Sequence, residues 1–111
     1  MTTADGREGR ERSEGGVVPG AHLIEAPGEE ITRDRLSGDW WIFQLRRGHR
    51  YSTDDLLTAW TAVEALPRAE RLLDLGAGVG SVGLLTLRLL PRARLTSLEV
   101  QGVSVALARR T

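Results

Sequence analysis

Hydrophobic and polar positions divide this chain into a polar leader followed by alternating strand-like and helix-like stretches. Met1 to Gly20 holds five glycines and seven charged residues, and Val17 and Val18 are its only branched apolar side chains. So little apolar surface cannot offset the entropy of ordering a chain, so residues 1–20 are expected to form a disordered tail. Ala21 to Ile31 is mixed and carries the turn signal Pro27-Gly28. Trp40-Trp41-Ile42-Phe43-Gln44-Leu45 is aromatic and β-branched and predicts a strand, with turn-like Ser37-Gly38-Asp39 before it and Arg46-Arg47-Gly48 after it. Ser52-Thr53-Asp54-Asp55 predicts a helix start, with hydroxyls to cap and acids in the first turn. Leu56, Trp60 and Val63 then recur at helical spacing with Ala59 on the same face, which predicts one buried stripe. Pro67 closes that helix.

Arg71 to Leu75 predicts a strand of four to five residues. Ser81 to Leu90 is apolar on most sides, as expected of a helix packed inside an α/β layer, and Pro91 ends it. Leu95 to Leu98 predicts a second short strand closed by Glu99, and Val103, Ala106 and Leu107 begin another amphipathic helix. The order strand, helix, strand, helix implies an α/β fold with a parallel strand pair and a crossover connection. The expected organisation is a tail over 1–20, a strand and hairpin segment over 21–50 and an α/β domain over 51–111.

Composition narrows the setting more than the chemistry. The chain has 111 residues, enough for one small domain, and its 15 basic and 15 acidic residues balance. No long-range field therefore argues for or against nucleic acid. Every basic residue is arginine and cysteine is absent, so disulfides and thiolate metal sites are excluded. No apolar signal core opens the sequence, and the longest apolar run is broken by Thr86 and Arg88. A cytoplasmic location, with no membrane and no metal, is the expectation.

The chemistry concentrates in Asp74-Leu75-Gly76-Ala77-Gly78-Val79-Gly80. A strand that ends in an acid and turns through alternating glycines into a helix makes a nucleotide cradle. Glycine adopts the backbone angles of such a turn and leaves room for a ligand, and the helix N-terminus offers free N–H groups. Glu99 lies nineteen residues after Gly80 at the end of the next strand, where an acid faces the ribose in doubly wound folds. Two ligands compete. Gly78-x-Gly80-x-x-Gly83 also satisfies a dinucleotide fingerprint, but that reading leaves Asp74 without a role. An acid at the strand end suits a cationic ligand without phosphate, and S-adenosylmethionine, with its sulfonium and ammonium groups, is one. A structural glycine turn with no ligand is the third reading.

Leu72 to Gly80 together with Leu98-Glu99 resembles the first motif and ribose-binding acid of the class I S-adenosylmethionine-dependent methyltransferases. Upstream, Ile31-Thr32-Arg33-Asp34-Arg35-Leu36-Ser37-Gly38, followed by Leu45 to Asp54, resembles the leading segment of the bacterial tRNA adenine-N6 methyltransferases that act on the valine tRNA. His49 replaces that group's usual tyrosine, and Thr58 stands in what is often a Leu/Ala run. The resemblance spans about Ile31 to Thr111. It implies the N-terminal part of a Rossmann-like, doubly wound methyltransferase fold preceded by a short strand and hairpin. It assigns Asp74, Gly76, Ala77, Gly78 and Gly80 to the methionine and adenosine parts of S-adenosyl-L-methionine and Glu99 to the ribose hydroxyls. It places Tyr51 to Asp54 over the methionine end, with Tyr51 and Asp54 as the contacts. Asp54 also reads as an ordinary helix-capping acid. Arg46, Arg47 and Arg50 are candidates for tRNA phosphates. Trp40, Trp41 and Trp60 read as core and strand packing rather than base-stacking platforms. His22 receives no role.

The family's catalytic Asn-Pro-Pro-aromatic motif has no counterpart here, since the prolines stand at 19, 27, 67 and 91 and none is paired. No catalytic residue is therefore named. The glycine-loop strand would also lack a neighbour on one side, leaving an apolar edge open. These features lead to the expectation of a fragment, inactive alone and complemented by a missing C-terminal half. Two functions follow. One is methyl transfer to adenine N6 of tRNA, or to a protein or small molecule. The other is a non-catalytic nucleotide-binding or interaction module that pairs through its open edge.

Overall fold

The computed structural model describes residues 2–4 and 30–111. The remaining tail positions, the Pro27-Gly28 turn and His22 lie outside the described residues. The elements are β1 (Thr2–Ala4), β2 (Ile31–Ser37), β3 (Trp40–Leu45), α1 (Thr53–Ala65), β4 (Arg71–Leu75), α2 (Ser81–Leu89), β5 (Arg94–Leu98) and α3 (Gly102–Arg110). They form a small mixed α/β arrangement of two short sheets and three helices.

The first sheet has the order β1-β5-β4. β4 and β5 run parallel, with Leu72 opposite Leu95 and Asp74 opposite Ser97, and α2 is the connection between them. The predicted parallel pair is therefore present. β1 lies antiparallel on the other side of β5, with Thr3 opposite Thr96. This corrects the expectation of a disordered tail at Thr2–Ala4: short polar residues there find a partner edge that local composition does not reveal.

The second sheet is the β2–β3 hairpin, paired from Ile31–Leu45 to Ser37–Trp40 with a register shift between Arg35 and Ser37. A polar network ties it to the start of α1. Asp34 Oδ2 accepts hydrogen bonds from Thr32 Oγ1, from Gln44 Nε2 at 3.0 Å and from Arg50 Nη2 at 2.8 Å. Arg50 Nη1 also donates to Thr32 Oγ1 and to the Leu45 carbonyl, and the Tyr51 amide donates to Gln44 Oε1 at 3.1 Å. Burial raises the Asp34 pKa, but the three donors and the Arg50 charge outweigh it and hold the carboxyl below its ordinary value.

Two apolar clusters hold the elements together. Leu87, Leu90, Ala93 and Leu95 are buried and meet Leu72, Leu84, Val63, Ala69 and Trp40, which joins α2, β4, β5, α1 and the hairpin. Ile31 and Leu107 are buried with Phe43, Leu45, Val79, Val103 and Ala106, which docks α3 on the hairpin and the glycine loop. The Arg33 and Arg35 guanidinium groups stack on Trp41 at 4.7 and 5.0 Å.

α1 is rotated from the predicted orientation. Ala59 is fully buried and Val63 joins the first cluster, but Leu56 is 45% and Trp60 57% exposed. The Trp60 indole N–H donates to Glu64 on the same helix, so this tryptophan is not the core residue expected. The stripe that meets α2 is Asp55, Ala59 and Val63, one position N-terminal to the predicted Leu56–Trp60 line for its first two members. A small residue at 59 permits close helix approach, and a hydrogen bond from Ser81 to Asp55 fixes the rotation. Ser52 occupies the N-cap in extended geometry, but its backbone carbonyl rather than its hydroxyl takes the Asp55 amide. Across the molecule, β4 presents Leu73 and Leu75 outward at 62% and 69% exposure. β4 is an edge strand among the described residues, in line with the expected open apolar edge.

Candidate functional site

The carboxyl ends of β4 and β5 meet at the glycine loop. Gly76, Gly78 and Gly80 take φ values of 68°, 58° and 96°, left-handed angles that cost an L side chain about 1–2 kcal/mol. A Cβ built on Gly76 or Gly78 would meet no atom within 4 Å, so the space beside the loop is open. The loop is pinned from within. The buried Ala77 donates its amide to the Leu98 carbonyl at 3.0 Å, and Gly80 donates to the Ala77 carbonyl at 2.9 Å. Leu84 then donates to the Gly80 carbonyl, which opens the helical hydrogen-bond ladder of α2.

Three acids border this loop. Glu99 follows β5 and accepts the Gly78 amide on Oε2 at 2.6 Å and the Val100 and Gln101 amides on Oε1. The bonds from Gln101 and Gly78, with that from Val100, hold its carboxyl below its ordinary value despite a smaller opposing effect of burial. Glu99 is therefore anionic and joined to the loop by a sequence separation of 21 residues, and Oε2 keeps acceptor capacity for one further donor. Asp74, at the penultimate position of β4, accepts the Gly83 amide on Oδ2 at 3.1 Å. Burial raises its pKa. The Gly83 bond opposes that rise, and the negative charges of Asp55 and Glu99 add to it.

The third acid, Asp55, accepts the Ser81 hydroxyl on Oδ2 at 2.6 Å. Ser81 and Gly83 both lie in the first turn of α2, so carboxylates from α1 and β4 grip one helix N-terminus. Negative groups are stabilised there by the helix dipole. Gly83 explains how Asp74 comes so close. A methyl at this position would lie 2.9 Å from Asp74 Oδ2 and 3.0 Å from both Leu95 Cδ atoms. The glycine that completes the dinucleotide fingerprint is thus the one on which Asp74 rests.

Asp74, Gly76, Ala77, Gly78, Gly80 and Glu99 come together as the sequence predicts. Tyr51 does not point its polar end at them: its hydroxyl donates to the Arg35 carbonyl and its amide to Gln44, which anchors it on the hairpin. Asp54 is exposed in the first turn of α1, and its carbonyl accepts the Thr58 hydroxyl. Its neighbour Asp55 is the acid that reaches the loop. The signal was available in the helix stripe Asp55, Ala59, Val63, which ends in an acid at the loop side. Of the arginines considered for phosphate, Arg50 pairs with Asp34 at 2.8 Å and Arg46 with Glu30 at 2.8 Å, so internal carboxylates take both. Arg47 is exposed in the turn after β3.

Among the described residues no group of three or more His, Cys, Asp or Glu side chains is placed to hold a metal ion. No helix among them is long and apolar enough to cross a membrane. No protein-family model matches the chain, and no curated protein or solved structure matches it.

Proposed function

We propose that the glycine loop binds S-adenosylmethionine and that the chain is the cofactor-binding part of a class I methyltransferase. One observation carries the reading: the first turn of α2, where a dinucleotide fold would seat pyrophosphate, is already held by two carboxylates. A phosphate charge about 5 Å from a carboxylate costs roughly 3 kcal/mol at an effective dielectric near 20, and here it would face two. A sulfonium or ammonium group gains where phosphate loses. The residues fit the remainder of such a ligand: open space beside Gly76 and Gly78 admits it, and Glu99 offers an anionic acceptor to a ribose diol.

When bound, the cofactor supplies an activated methyl group on a positively charged sulfur. The chain's own part is to seat the adenosine along the loop, hold the ribose through Glu99 and balance the cationic end with Asp74 and Asp55. The acceptor, adenine N6 of tRNA or another nucleophile, rests on the resemblance alone. No side chain is assigned to the transfer step.

Calorimetric titration with S-adenosylmethionine and with a nicotinamide dinucleotide tests this reading. Binding of the first and not the second, lost in Asp74→Ala, is the expected result. Tighter binding of the dinucleotide would refute it. A second reading, an interaction module that pairs through its sheet edge, draws on the exposed Leu73 and Leu75 of β4. A stable hetero-complex formed without any nucleotide would favour it.

A further inference from the structure

Asp55 reads in the sequence only as a first-turn acid of a helix start, yet it contacts the junction between the glycine loop and α2. It leaves the first turn of α1, is half-buried, and takes the hydroxyl of the buried Ser81 at 2.6 Å. Ser81 is the first residue of α2 and follows directly on Gly80, whose left-handed geometry sets the loop's exit. Fixing Ser81 therefore fixes the junction between loop and helix. Asp74 rests two residues further on, at Gly83. The two carboxylates share one helix turn, and the ion pairs given among the described residues join Arg46 to Glu30, Arg50 to Asp34 and Arg88 to Asp39 rather than either of them.

We propose that Asp55 is a positioning and specificity residue of the glycine loop, holding the loop-helix junction through Ser81 and, with Asp74, setting a negative field that selects the charged cofactor over its neutral analogue. This rests on the reading of the loop as an S-adenosylmethionine site. The two roles separate chemically. Asparagine at 55 keeps an acceptor for Ser81 and removes the charge. Alanine at 81 removes the hydrogen bond and keeps the charge.

The groups that face Asp74 are Asp55 from α1, Glu99 from the end of β5 and the Gly83 amide from α2. Removing the Asp55 charge therefore lowers the Asp74 titration midpoint, a change that loss of packing alone does not predict.

The test compares S-adenosylmethionine with S-adenosylhomocysteine, which lacks the sulfonium charge, on the full chain and on Asp55→Asn and Ser81→Ala. The Asp74 carboxyl is followed by carbon-13 NMR in the absence of ligand. Asp55→Asn is expected to weaken S-adenosylmethionine roughly three- to tenfold and the neutral analogue less than twofold, from the loss of one nearby charge. The Asp74 midpoint falls in the same variant. Ser81→Ala weakens both ligands alike and leaves that midpoint higher than in Asp55→Asn. Equal weakening of both ligands by Asp55→Asn, or an unmoved Asp74 midpoint, overturns the inference while wild-type binding leaves the cofactor reading standing. Failure of the wild-type chain to bind either ligand overturns the cofactor reading, and the selectivity role of Asp55 falls with it.

Discussion

A methyl group added at Gly83 would stand 2.9 Å from Asp74 Oδ2 and 3.0 Å from both Leu95 Cδ atoms. Gly83→Ala therefore sets two opposed effects against each other. Alanine gains about 1 kcal/mol over glycine inside a helix. Against it stand overpacking in a filled core, about 1–3 kcal/mol, and the Gly83-to-Asp74 hydrogen bond, about 1–1.5 kcal/mol, which must lengthen when the helix backs away. Leu95 cannot yield easily, since it is 2% exposed and shares its cluster with Leu87 and Leu90. The net expectation is a loss of about 2 kcal/mol, a fall in Tm of roughly 10 °C for a domain of this size. Urea unfolding followed by tryptophan fluorescence measures it. Gly102→Ala serves as the control: nothing lies within 4 Å of a Cβ there, and the same propensity gain leaves α3 unchanged or up to about 1 kcal/mol more stable. If Gly83→Ala proves as stable as Gly102→Ala, the tight seat of α2 on Asp74 and Leu95 is refuted.

Three further outcomes follow from the same contacts. Gly78→Ala places its methyl in open space at φ 58°, so it costs stability only the backbone strain of about 1–2 kcal/mol, yet it obstructs the cradle; binding assays should show a loss of affinity larger than its stability loss accounts for. Arg50→Met strands the half-buried Asp34 with Thr32 and Gln44 as its remaining donors and should cost about 1–3 kcal/mol, read by chemical unfolding, with the Tyr51 segment loosened first. Stability against pH should show two opposite signatures. The Asp74 pKa is raised in the folded chain, so wild-type protein loses stability as pH rises from the ordinary 3.8 through the folded value, and Asp74→Asn removes that slope. The Glu99 pKa is lowered, so its contribution is present above the ordinary 4.5 and is lost as pH falls through the folded value, a loss that Glu99→Gln abolishes.

The parts of the fold legible in the sequence are those fixed by local chemistry. Leu72 to Leu75, the glycines at 76, 78 and 80, and the proline after α2 each specify their own backbone, and β4, the loop, α2 and β5 follow from them. Residues whose role depends on distant partners were not legible. Trp60 matches a helical apolar stripe, but the rotation of α1 is set by Ala59 and by the Ser81-to-Asp55 bond, so Trp60 faces outward. Asp54 and Asp55 are adjacent first-turn acids, and only the position of α2 decides which one meets the loop. Arg50 looks like a surface arginine until the hairpin brings Asp34 beneath it. Thr2–Ala4 carries no strand signal of its own and pairs because β5 has an edge to offer.

The central claim is that the glycine loop is a ligand cradle for S-adenosylmethionine. Two-dimensional amide NMR of the nitrogen-15-labelled chain, recorded while S-adenosylmethionine is added, tests it most directly. The account predicts saturable shifts at Gly76, Ala77, Gly78 and Gly80 and at the Val100 and Gln101 amides, which donate to Glu99, with the β2–β3 hairpin unmoved. Unchanged loop amides at millimolar ligand, or shifts confined to the exposed Leu57–Trp60 face of α1, would contradict it.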